Sequence, residues 1–346
     1  MANYSFQTWQ TMNLATREND TNFIIFDHNV PNHQDQETEG IVYSGQILGG
    51  YTLQNLNEIF SQYVKCDPID FTAHTQLDNL FNKVFYVYYS SDNWSTYTRD
   101  LVSVTYDWSY TDNTSNLLSN PISKILDYRQ YLLYSVNSYL MSTAIDVKVG
   151  DTTVDSVIVQ NGKYNYVKKI DTIEDWPGEF NFDYSFDYLI DEDTIRPGWY
   201  YDLYVNNTRY IVALTCYRYC IYYLNQRGGW DSLLFKGKEI QNDKLSRLSY
   251  KKNYVAQSQD LNKVDYLTTI QETWQLNTAF MEDINSDKMI NIMSSNMLFL
   301  HDLETQKIIP VNITNSECTH KTYKNQNRKL YTYNIEVSAS QPKYRI

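Results

Sequence analysis

Cysteine is scarce: Cys66, Cys216, Cys220 and Cys318 are the only four in 346 residues. They are too few and too scattered for a disulfide framework, which points to synthesis in a reducing cytoplasm. Histidine is nearly as rare. His28, His33, His74, His301 and His320 show no H-x-x-x-H spacing, and no paired C-x-x-C accompanies them, so the usual zinc signatures are missing. Long apolar runs are also lacking, since no window approaches the ~20 residues of a membrane helix. The opening stretch MANYSFQTWQTMNLATREND has no basic region followed by an apolar one, so no secretory signal is expected.

Catalytic signatures are equally thin. There is no G-x-S-x-G elbow and no H-E-x-x-H. The stretch SGQILGGYT (44–52) has three glycines without G-K-[ST] or G-x-G-x-x-G, so a phosphate cradle is unsupported. No catalytic, cofactor-binding or metal-ligating residues are assigned on sequence, and no cofactor is expected.

What the chain does have is tyrosine, 33 of them against 11 Gly and 7 Pro, within a globular composition of 42% hydrophobic and 20% charged residues. Tyrosine joins a large apolar ring to a polar tip, which suits strands and subunit contacts. The net charge of -12 is unevenly spread. Residues 1–202 hold 11 Lys and Arg against 28 Asp and Glu, which leaves 18 against 13 for residues 203–346, or about -17 and +5. Opposite-signed halves can guide head-to-tail packing of identical subunits, or can be two solvated surfaces of different composition.

The length allows two or three domains: a β-rich, acidic region over 1–200, holding one or two subdomains, and an α+β module over 201–346. FIIFD (23–27) and IVYSGQIL (41–48) read as strands around an exposed loop. Leu53, Leu56, Phe60 and Tyr63 lie at helical spacing behind Thr52, and Leu77, Leu80, Phe81 and Val84 form a second amphipathic run, so helices are expected at 52–65 and 74–85. From there to about 235, aromatic and β-branched residues alternate between turn signals, which predicts sandwich or barrel modules. The cleanest alternation is EFNFDYSFDYLI (179–190), aromatic on one face and polar or acidic on the other. A hairpin is expected around 210–236, turning at NQRGG, where Gly228 and Gly229 can take positive φ. Further strands are expected at 266–280 and 330–339, and a helix around 286–297 with Met289, Ile292 and Met293 on one face and Ser286 or Asn285 as cap. The fold class is thus mainly β with a few short helices.

Four clusters invite a chemical or binding role. Cys216 and Cys220 are four apart, and in one strand they would lie ~13 Å apart, beyond disulfide reach. His301 and Asp302 are adjacent, so on a strand they point to different sides. The acidic residues Glu174, Asp175, Glu179, Asp183, Asp187, Asp191, Glu192 and Asp193 could serve calcium or a glycosidase pair, but they lack the D-x-[DN]-x-[DN]-G loop, and a solvated sheet face explains them as well. The C-terminal Lys321, Lys324, Arg328, Lys329, Lys343 and Arg345 alternate with tyrosines, although the overall acidity disfavours a dedicated nucleic-acid binder.

Over residues 205–346 the order CYRYCIYYLNQRGGWDSLLFKGK, LSRLSYKKNY, a strand ending WQLNTAF, the helix DKMINIMSSNM, then VNITNSECTHKTYKNQNRKLYTYNIEVSAS resembles virion proteins of Bacteroidetes-infecting tailed phages. The likeness is to the tail ring and hub proteins of crAss-like phages, and the hairpin from Tyr222 to Phe235 is its landmark. The resemblance implies a non-enzymatic structural protein of the virion tail, assembled in the host bacterial cytoplasm. It implies a closed six- or twelve-fold homo-oligomeric ring around the DNA ejection channel, contacts with other tail or portal rings, transient contact with genomic DNA and no membrane. A carbohydrate-binding or host-adhesion module of a phage tail stays open as the alternative. The arrangement of Trp94, Trp108, Trp176, Trp199 and Trp230, on an exposed platform or in cores, separates the two.

Overall fold

The structure is a computed structural model that describes residues 4–6, 22–27, 41–44, 46–48, 51–53, 65–78, 81–90, 98–105, 117–138, 142–160, 162–172, 200–252, 263–282, 288–315, 321–325 and 328–345. It is mostly β-sheet with very few helical residues, as the alternating patterns predict. Among the described residues no helix is long and apolar enough to cross a membrane.

In the first hundred residues β1 (Tyr4–Phe6), β2 (Asn22–Asp27) and β3 (Ile41–Ser44) join one sheet, while β4 (Gln46–Leu48) and β5 (Tyr51–Leu53) pair separately. The helix expected at 52–65 lies almost wholly outside the described residues, and its first two residues end β5. The helix expected at 74–85 is not formed. That segment makes β6 (Thr75–Asp78) and the start of β7 (Asn82–Ser90). The helical spacing there spans only eight residues, and two long-range pairings override it. β7 and β8 (Thr98–Thr105) complete the first sheet in the order β1-β8-β7-β2-β3, and β6 pairs antiparallel with a strand more than eighty residues away.

Three stacked sheets build the core. A five-stranded sheet holds β9 (Ile125–Asp127), β11 (Thr143–Val149), β12 (Thr152–Val159), β14 (Tyr200–Val205) and β15 (Thr208–Ala213) in the order β12-β11-β14-β15-β9. A small central sheet of β10 (Tyr131–Asn137), β13 (Lys163–Lys169) and β6 lies against it. Both faces of this central sheet are covered, because side chains alternate along a strand. Leu132, Tyr134, Val136 and Tyr166 meet the five-stranded sheet, while Leu133 and Val167 pack on the other side with residues of a third.

That third sheet is eight-stranded. Its path is β17 (Trp230–Leu234), β16 (Tyr219–Leu224), β21 (Leu298–Asp302), β22 (Lys307–Ile313), β25 (Asn334–Ala339), β19 (Lys263–Asn277) and β18 (Glu239–Lys251), with β26 (Lys343–Arg345) also on β19. Every residue of β16 is buried. Cys220, Tyr222 and Leu224 face the central sheet, and Tyr219, Ile221 and Tyr223 face a second core with Trp274, Leu276, Ile335 and Val337. The helix α1 (Met289–Met293) caps this second core through Met289 and Ile292, a single turn instead of the longer helix expected at 286–297. β20 (Met281–Glu282), β23 (Lys321–Asn325) and β24 (Arg328–Thr332) form a further small sheet, so the stretch 330–339 divides between two sheets at Tyr333.

The hairpin around Gly228 and Gly229 forms as the turn residues predict, but with strands only at 219–224 and 230–234. The strand pattern breaks at 214–218, and the preceding β15 belongs to the five-stranded sheet. Gly228 has φ of 78°, and a Cβ on Gly229 would stand 2.6 Å from the backbone of Leu118. One glycine makes the turn and the other lets it dock.

Candidate functional site

The residues named on sequence separate in space. Cys216 is exposed outside any strand, whereas Cys220 is sealed in β16 where burial drives its thiol well above the ordinary range; the two are not bonded. Cys66 is buried too, its thiol pushed up to about 12 chiefly by desolvation. Neither buried thiol has the depressed pKa of a nucleophile. The acidic run 174–193 and the alternating segment 179–190 lie outside the described residues. Among the described residues no group of three or more His, Cys, Asp or Glu is placed to hold a metal ion.

His301 and Asp302 point to opposite faces of β21. Asp302 accepts from Arg218 Nη2 at 2.9 Å and is held below the usual carboxylate range, its burial being outweighed by that bond and two backbone N–H groups. His301 turns inward, its ring stacked 5.8 Å from that of Tyr222. The Tyr131 N–H donates to the Tyr222 hydroxyl oxygen at 2.8 Å, and that hydroxyl lies 3.0 Å from His301 Nδ1. The hydroxyl oxygen has a second lone pair, so either it or Nδ1 supplies the proton of that contact, while Nε2 has no partner among the described residues. Burial, with help from the Lys169 charge, lowers the His301 pKa to about 4, so the ring is neutral at pH 7.

Other buried polar groups lie in this seam between the central and eight-stranded sheets and in the neighbouring hairpin. Lys163 Nζ meets Asp78 Oδ2 at 2.8 Å with both side chains sealed from solvent, and the ammonium sits 5.0 Å from the centre of the Phe81 ring. In the hairpin, Asn225 donates to Asp231 Oδ2 at 2.6 Å and to the Leu118 carbonyl at 2.9 Å, while its Oδ1 accepts from the N–H groups of Arg227 and Gly229. Asp231 also accepts the Asn120 N–H, and burial raises its pKa to about 6 against the pull of these bonds. Sequence had marked this turn for its glycines. Its polar residues Asn225 and Asp231 carry as much of the structure, pinning segment 117–120 across more than a hundred positions.

Among the described residues, the hydrogen bonds of these titratable groups go to backbone and to one another. A surface groove of about 140 Å3 does lie beside Arg218, Tyr219, Trp274, Asp302 and Lys343. It is smaller than the ~300 Å3 where ligand pockets begin. Four of its five charged residues are matched in pairs, Arg218 with Asp302 and Lys343 with Glu272. Trp230 and Trp274 are buried in the cores, and Trp94, Trp108, Trp176 and Trp199 fall outside the described residues.

The prominent surface feature is an arm. β18 and β19 pair from Glu239↔Leu276 to Lys251↔Lys263, whereas β25 reaches β19 only at 273–277 and β26 only at 268–270. Beyond Thr268 the arm is a two-stranded ribbon. Side chains opposite one another share a face, so Leu248, Tyr250, Val264 and Leu267 lie together; the ring of Tyr266, displaced by the register shift after Leu248, lies 6.2 Å from that of Tyr250. Leu245, Leu248, Tyr250 and Tyr266 are 49–57% exposed. Lys244, Arg247, Lys251, Lys252 and Lys263 surround them, and only Arg247 has an ion partner among the described residues, Asp265 at 3.9 Å.

No known family model matches the chain, and no curated protein is recognisably similar to it in sequence.

Proposed function

We propose that this chain is a non-enzymatic virion structural protein, a subunit of a ring or hub in a phage tail around the DNA ejection channel. The observation that carries the proposal is the arm. A two-stranded ribbon is marginal in water by itself, and one that holds large apolar and tyrosyl side chains half in solvent is a surface that assembly would complete. The resemblance of residues 205–346 to tail ring and hub proteins supports the same role. Buried titratable groups held by one another and by backbone agree with a load-carrying core.

In this role the partners are further copies of the chain in a closed six- or twelve-fold ring, neighbouring tail or portal rings, and passing DNA. The acidic residues 1–202 would suit the channel wall, where a basic lining would hold phosphates and slow ejection. Electron microscopy of the purified protein across a concentration series tests the proposal. Closed rings of one symmetry are expected; a protein that stays monomeric at high concentration and binds glycans would replace it with the adhesion role.

A further inference from the structure

Two strands stand out as places where a second chain could add. Among the described edge strands only β12 and β18 run longer than seven residues. An edge presents a row of backbone N–H and C=O groups, and natural sheets normally shorten it, cover it or charge it. β10 is nearly as long, but its residues are mostly buried. β18 is mostly exposed and β12 half so, and each carries apolar side chains in solvent: Ile158, 70% exposed, on β12 and Leu245, Leu248 and Tyr250 on β18. Lysines on β18 alone would be protection against pairing. Lysines interleaved with exposed leucine and tyrosine are a selective surface, since the charge rejects most partners and the apolar groups reward the right one.

The two edges are complementary in charge and length. The outer part of β18, residues 244–251, carries Lys244, Arg247 and Lys251 and no acid. The stretch 150–160 around β12 carries Asp151 and Asp155 and no base. Asp155 is already held by Lys168, His74 and the Tyr166 hydroxyl, but Asp151 is exposed and has no ion partner among the described residues. Asp151 also borders a depression of about 400 Å3 with Asp202, Lys148 and Tyr204, at the turn between β11 and β12. Eight strand residues span about 26 Å, so β12 and residues 244–251 match in reach.

We infer that the β18 edge of one copy adds to the β12 edge of the next, joining the eight-stranded sheet of one subunit to the five-stranded sheet of its neighbour. The contact is heterologous, because each copy offers a donor edge and a different acceptor edge, and repetition closes a ring if the rotation allows. Main-chain pairing supplies the continuity, Lys251 beside Asp151 sets an antiparallel orientation, and the apolar side chains of β18 leave water against β12. The inference rests on the proposed ring role and names the surfaces that would make it.

Cysteine cross-linking tests it on the full chain in a Cys216→Ser, Cys318→Ser background, where the other two cysteines are buried. Ser156→Cys on β12 combined with Ser246→Cys or Ser249→Cys on β18 should give a ladder of covalent multimers on mild oxidation, with none beyond dimers from any single variant. The triple variant Lys244→Glu, Arg247→Glu, Lys251→Glu should raise the concentration for half-assembly roughly tenfold or more, with an unchanged melting transition because all three side chains are exposed. Rings that form and persist in the triple variant, without ladders, would overturn the edge pairing and leave the ring role standing. Ladders built on open filaments would keep the pairing and remove the ring. A wild-type chain that never assembles, or an arm that binds DNA in place of a second copy, would overturn the pairing.

Discussion

His301 and Asp231 are both buried and titrate in opposite senses. The folded-state pKa of His301 is about 4 against an ordinary 6.5, so between those values the unfolded chain binds the extra proton and stability is lost as pH falls. Asp231 is raised from 3.8 to about 6, so between those values the folded chain binds the extra proton and stability is lost as pH rises. Each contributes a slope of about 1.4 kcal/mol per pH unit, and from pH 4 to 6 the two oppose. Denaturant unfolding of the wild type should therefore show little dependence on pH from these two groups in that window. His301→Gln should expose the Asp231 slope, with stability rising on acidification from 6 to 4, and Asp231→Asn should expose the opposite slope; parallel profiles for the two variants would refute the opposition. Lys163 and Asp78 make a second residue-scale case. Lys163→Met strands a buried carboxylate and should cost about 3–5 kcal/mol, while Lys163→Met with Asp78→Leu should recover much of it, as measured by chemical unfolding. Alternation foretold that His301 and Asp302 would diverge. Nothing local marked Lys163 or Asp78, since a charge is buried only when its partner, here 85 positions away, arrives to meet it.

At the scale of elements, the legible parts were those whose signal is local. NQRGG predicts its own turn, and the short apolar run FIIFD and the stretch 266–280 mark β2 and β19. The segment 74–85 misled because its apolar spacing fits a helix over two turns, whereas its fate is decided by the pairing of β6 with β13, which no short window contains. The chain at 208–224 misled differently, since two strands in succession belong to two sheets and the break at 214–218 has no glycine or proline to announce it. Two glycines allow the local and long-range contributions to be separated. Gly150 has φ of 57°, and a methyl group in place of its hydrogen would meet nothing within 4 Å, so Gly150→Ala should cost only the left-handed strain, about 1 kcal/mol. Gly229 lies outside the left-handed region, but Gly229→Ala drives a methyl into the Leu118 backbone; it should cost more, about 2–3 kcal/mol or above. Equal melting temperatures for the two variants would mean that the hairpin does not depend on its docking against 117–120.

For the whole molecule, the stacking of sheets decides what can be separated. β14 and β15, at 200–213, hydrogen-bond to β11 and β9 from residues 125–149. One face of β16 and β17 is roofed by Leu133, Val167 and Leu118 from earlier in the chain. A fragment of residues 201–346 would thus keep the second core around Trp274 and Val337 while baring Tyr222, Leu224 and Trp230, all nearly sealed in the full chain. Each such side chain contributes about 1.5–3 kcal/mol through burial, comparable in sum with the ~5–15 kcal/mol net stability of a domain. The fragment should therefore be insoluble, or should retain far-ultraviolet β signal while losing the near-ultraviolet signal of Trp230 and binding a hydrophobic dye. A fragment with a cooperative transition and native near-ultraviolet signal would mean that the central sheet is a cover and not a shared core. The outcome bears on assembly as well. If the central sheet is shared, the basic β18 edge and the acidic β12 edge are held on one continuous framework of stacked sheets, and the angle between them, which decides whether head-to-tail pairing closes, is set by the core and not by a linker.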